Sequence, residues 1–171
     1  MNKILSAIAA ALLISASLTS CASTSETGSS NSDMKLAAVG IDNGWVRVSE
    51  YSDHVGGMTG AFATFTNNTD ADIKILGGSA EIATMVEAHE VAMSGGKMVM
   101  QPKEGGIVIP AGESLTLEPG GLHIMLMGLK KAIATGDEIT LTIDFEGADD
   151  QTVTWLAKES AAGDEEYKPA K

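Results

Sequence analysis

A chain of 171 residues with a formal net charge of −12, carrying 11 Lys and Arg against 23 Asp and Glu, has no basic footprint for nucleic acid or an anionic membrane surface. Its acidity suits a cation or a basic protein face as partner, or simply solubility in an exposed compartment. The single cysteine, Cys21, excludes an intramolecular disulfide, a thiol-pair redox centre, and a blue-copper electron-transfer site, which needs a thiolate beside two histidines inside the fold.

In chain order, Lys3 precedes an apolar run from Ile4 to Leu18. The run is too short and too rich in Ala and Ser to span a bilayer well, and it reads as a signal peptide over residues 1–20. It ends in Leu18-Thr19-Ser20-Cys21, which resembles the lipobox of bacterial lipoproteins and makes Cys21 the expected lipidation site. The bland alternative is an ordinary signal peptide with a chance cysteine. Residues 21–42 open on a Ser/Thr-rich polar tract that cannot bury enough surface to offset its ordering entropy, and they are expected to be a lipid-anchored flexible tether. The folded domain is expected over 43–158 and a polar tail over 159–171. The expected location is extracytoplasmic and membrane-anchored, in a periplasm or on the outer face of the cytoplasmic membrane.

Within the domain, short alternating runs are separated by turn residues. Strands are predicted at Trp45–Ser49, Met58–Thr66, Ile73–Ser79, Ala83–Ala92, Lys97–Lys103, Ser114–Leu117, His123–Met127, Glu138–Phe145 and Gln151–Ala157, with no helix of three turns. Asn67-Asn68-Thr69-Asp70, Ser94-Gly95-Gly96 and Pro119-Gly120-Gly121 supply turn chemistry. The fold class that follows is all-β, an antiparallel β-sandwich. Trp45 and Trp155 are expected as core anchors, and the Asn67-Asn68-Thr69 glycosylation sequon as coincidence.

Two of the three histidines and six of the nine methionines lie between Thr84 and Leu129. His89 is followed by Met100 and then by His123-Ile124-Met125. Thioether sulfur is neutral and polarisable and favours copper(I), and imidazole accepts copper in either oxidation state. In Leu122, Ile124 and Leu126 one strand face is aliphatic, which puts His123, Met125 and Met127 together on the other; Met98 and Met100 share a face, as do Met85, Glu87 and His89. The candidate metal ligands are His89, Met100, His123 and Met125, with Met98 the substitute for Met100. Met58, Met85, Met93 and Met127 are expected to fill gaps in the core, Met127 alternatively shielding the site. Glu87 and Glu90 are expected to be solvated or to support the ligands from outside.

These residues resemble the PCuAC-type extracytoplasmic copper chaperones. The resemblance rests on the His89, Met100, His123-x-Met125 series, the Pro119-Gly120-Gly121 turn and the run from His123 to Leu129, and covers roughly Trp45 to Leu156. The gap from Met100 to His123 is one residue longer than is usual in that family, which keeps Met98 in play. The resemblance implies a cupredoxin-like sandwich, copper(I) as cargo and delivery to a membrane-bound cuproenzyme. The CuA centre of cytochrome oxidase is the implied acceptor, with a thiol-bearing assembly factor as a further partner. No catalytic residue is needed, and a monomer is expected. Two other classes stay open. His54, His89 and His123 could form a three-histidine zinc site of a hydrolytic enzyme with Glu87 as base, which leaves the methionines unexplained. A metal-free interaction module would make every His and Met structural.

Overall fold

The computed structural model describes residues 37–50 and 57–160, with the backbone of 166–167. Cys21, His54, the expected signal peptide and most of the expected tether and tail lie outside the described residues. The strands are β1 (Val39–Arg47), β2 (Gly57–Asn67), β3 (Ile73–Ser79), β4 (Met85–Ser94), β5 (Lys97–Pro102), β6 (Ile107–Ile109), β7 (Ser114–Thr116), β8 (His123–Leu129), β9 (Glu138–Glu146), β10 (Gln151–Lys158) and β11 (Glu166–Tyr167). There is no helix among the described residues, so the chain is all-β as expected.

Alternation decides which side of each strand is buried. In β9, Ile139, Leu141, Ile143 and Phe145 are buried, whereas Glu138, Thr140 and Glu146 are exposed. The same parity holds for Ala61, Ala63 and Phe65 in β2 and for Ile124 and Leu126 in β8, which meet the β9 residues in one core. Phe65 and Phe145 touch edge-on at 6.3 Å within it. Each large side chain of this core contributes about 1.5–3 kcal/mol by leaving water.

The strand order β4-β8-β2-β1-β10-β9-β3 returns to β4 through a β3–β4 pairing, so the sheet closes on itself and has an inside and an outside. The closing seam is short: Gly77 pairs with Glu87 and Gly78 with Val86. Glycine is required there. A Cβ on Gly77 would lie 2.6 Å from the Val86 carbonyl oxygen, and one on Gly78 would lie 2.0 Å from that of Thr142.

Several details depart from the sequence reading. The sheet is mixed, because closure brings β1 beside β10 in parallel and β11 runs parallel to β5; the remaining pairings are antiparallel. β1 begins at Val39, inside the stretch expected as tether. Gly40, Asp42, Asn43 and Gly44 disguise it, and the chain carries them by a bulge between Asp42 and Trp45, with Asn43 at φ 56°. β6 is too short to read from alternation, and β11 falls in the expected tail. Trp155 is in the core as expected, but Trp45 is not: it lies outside, its ring 4.6 Å from that of Phe62. Asn67 is buried. Its amide donates to Ala71 and Ile109 carbonyls and its oxygen accepts from Thr69, so it is a turn lock, not an exposed acceptor of sugar.

Candidate metal centre

The outer faces of β4 and β8 carry the two histidines. Antiparallel register sets His89 opposite His123, Glu87 opposite Met125 and Met85 opposite Met127. Opposed residues on neighbouring strands project to the same side, so His89, His123, Met125 and Met127 share one face while Val86, Ala88, Ile124 and Leu126 point into the core. The imidazole centroids are 5.7 Å apart. On β5, Met100 pairs with Val91 and Met98 with Met93. Met100 is thus one same-face step from the His89 row, and Met98 is two steps away and 41% exposed. The register brings His89, His123 and Met125 together, with Met100 adjoining on the next strand.

An outward position on a sheet is normally wet, yet His89 and His123 are 0% and 3% exposed. A wall of neighbours explains part of this. Phe62 stands 6.2 Å from the His123 ring, and the Arg47 guanidinium lies 5.4 Å from the Phe62 centroid. Gly60 makes room for it, since a Cβ there would lie 2.6 Å from Phe62 Cζ. The wall was not read from the sequence; the outward parity of Trp45, Arg47, Gly60 and Phe62 was the available signal.

Hydrogen bonding fixes the rings. His123 Nδ1 donates to the Gly121 carbonyl at 3.1 Å, the same oxygen that accepts from the Val91 amide at 3.2 Å, so the turn before β8 is tied to β4. Nε2 of His123 therefore carries the lone pair, and it is buried with no hydrogen-bond partner. A buried nitrogen left bare is destabilising unless something coordinates it. His89 Nε2 lies 3.2 Å from a Glu87 carboxylate oxygen, which assigns its proton to Nε2 and the lone pair to Nδ1. Burial lowers the pKa of both. For His89 it outweighs the Glu87 hydrogen bond and charge. For His123 burial, with the nearby His89 and Arg47 charges, brings it to about 4 against the pull of Gly121. Both rings are neutral at pH 7 and can donate nitrogen lone pairs.

The other candidates fall elsewhere. Glu90 is engaged with Lys103 at 2.6 Å and with Gln101, away from the imidazoles. Among the described residues no group of three or more His, Cys, Asp or Glu is placed to hold a metal; His54, needed for the three-histidine alternative, is outside them. The expectation that Met58, Met85, Met93 and Met127 fill the core fails for Met85 and Met93, which are 48% and 66% exposed, whereas Met127 is buried and Met58 half-buried; all four share the outward parity of the histidines.

The profile of the LpqE-like family, described as "Putative lipoprotein LpqE-like", matches residues 39–156, and the chain belongs to this family. It is 31% identical over 151 residues to "Putative lipoprotein Lxx21020" of Leifsonia xyli subsp. xyli, covering 88% of each chain. Among solved structures it is similar to the copper(I) form of DR1885 from Deinococcus radiodurans, with 27% identity, TM-score 0.52, and 77% of this chain and 85% of that one covered. It is also similar to the copper-bound PCuAC domain from PmoF2, with 19% identity, TM-score 0.58, and 72% and 95% covered. The fold is therefore that of PCuAC domains, a cupredoxin-like sandwich, as the resemblance implied.

Proposed function

We propose that this protein is an extracytoplasmic copper(I) chaperone, anchored through a lipid on Cys21, that holds the ion with His89, His123, Met125 and Met100 and passes it to a membrane-bound acceptor. The observation that carries the reading is the direct cross-strand pairing of His89 with His123, with Met125 next on the same face and a buried, bare Nε2 on His123. Two neutral imidazoles and soft thioethers without a thiolate suit copper(I) over zinc or magnesium. Support also comes from relatives: DR1885 and the PmoF2 domain are described with copper bound, and the Leifsonia relative is named as a lipoprotein. The acceptor in this reading is a cuproenzyme such as the CuA subunit of cytochrome oxidase, or a thiol-bearing assembly factor. Handing over an ion requires no general base or nucleophile.

Anaerobic competition of the full-length chain against a chromogenic copper(I) chelator tests the reading. One tightly bound equivalent is expected, and Met125→Leu, close in volume and without the sulfur, should weaken it by at least about tenfold while changing stability by less than about 1.5 kcal/mol. Failure of the native chain to compete overturns the reading.

A further inference from the structure

The methionines of β2, β4, β5 and β8 share the outward parity of the histidines, Met125 and Met127 buried there and Met85 half exposed, and three of them form a row. Met58 of β2 pairs with Met127 of β8, and Met127 pairs with Met85 of β4. Directly opposed residues on adjacent strands carry Cβ atoms about 4.5–5.5 Å apart, so three flexible thioethers can converge on one ion. The next same-face row is Gly60, Met125 and Glu87, and the row after it holds His123 and His89. Each row is about 7 Å from the last. Exposure falls along this line, from Met85 at the surface through Met127 and Met125 to His89. Packing does not explain Met85, which is half exposed on the outer face, where a polar residue would serve solubility better.

We propose that Met58, Met127 and Met85 form a second, surface-accessible copper(I) site, from which the ion moves to Met125 and then to the imidazoles. The proposal rests on the buried set being a copper(I) site. At each step one copper–sulfur or copper–nitrogen bond forms as another breaks, with no change of oxidation state. The thioethers are neutral, and Glu87, between the two rows, adds negative charge beside the cation's path. At the other end of the face, Met93 and Met98 also pair, two rows from His89, but they offer two sulfurs instead of three.

The test is a titration of the full-length chain, labelled with ¹³C at the methionine methyls, with silver(I) as a redox-inert probe for copper(I), followed by NMR. The Met125 methyl should move with the first equivalent and those of Met58, Met85 and Met127 with the second. The double variant Met58→Leu/Met85→Leu should keep the first equivalent, bind the second at least about tenfold more weakly, and take up copper(I) from a chelator more slowly. Movement of Met125 without the row, or capture of the second equivalent by Met93 and Met98, overturns the proposal and leaves the buried site standing. No methyl response overturns both. The native shifts decide the matter even if the variant does not fold.

Discussion

On β9 and β10 the outward positions include four threonines, paired across the strands as Thr140 with Thr154 at 3.0 Å and Thr142 with Thr152 at 2.9 Å. On β4 and β8 the outward positions of the same closed sheet include His89, His123, Met125 and Met127, and these four are buried. Strand alternation is common to both regions; the covering is not. Phe62, Trp45 and Arg47 wall the second region against solvent, whereas Thr140, Thr152 and Thr154 of the first are exposed. Threonine outside is what any sheet uses, whereas buried imidazole outside is destabilising in the metal-free protein and so points to a ligand.

Acid should separate the two regions most strongly. An unfolded imidazole takes a proton near pH 6.5, but His123 in the folded protein does so only near 4. Between these values the unfolded state binds more protons, so the stability of the metal-free protein falls as pH falls through that window, by up to about 3 kcal/mol. His89 acts in the same direction, and above pH 6.5 neither contributes. Urea unfolding at a series of pH values checks this, and a His123→Phe variant should show a shallower fall between about 6.5 and 4.5 that leaves the share of His89; an unchanged slope would remove this ring as its source.

Breaking the wall should have the next largest effect. Gly60→Ala drives a methyl into the Phe62 ring, and overpacking of this kind costs about 1–3 kcal/mol. Thermal unfolding should register the loss, and the His123 ring resonances should shift while those of Thr140 and Thr154 stay in place. The smallest effect is expected on the threonine side, where Thr142→Val should change stability by no more than about 0.5 kcal/mol. A larger loss there would remove the contrast on which the comparison depends.

Much of this was legible because alternation is local. The aliphatic parity of Leu122, Ile124 and Leu126 put His123 and Met125 on the opposite face before any pairing was known, and Glu138–Phe145 declared its inner side in the same way. What escaped depends on register between distant strands. Nothing near Met85 in the chain says that its outward face lies at an open margin, and nothing near Trp45 says that Phe62, brought alongside by β2, will hold it outside the core. The first part of β1, before Trp45, escaped because its bulge is built from Gly, Asn and Asp, the residues that ordinarily mark a loop.

The closed ring also divides the four proposed ligands mechanically. His89, His123 and Met125 sit on β4 and β8, each bonded to neighbours on both sides. Met100 sits on β5, joined to β4 on one side and only to the two-residue β11 on the other. Three donors form a stiff tripod and the fourth rides on a compliant arm. Local opening of such a hairpin requires far less free energy than unfolding the ring. If the proposed site holds copper(I), the lifetime of the ion would be governed by how often that arm lifts, and a partner that competes for the β5 edge would shorten it without disturbing the core.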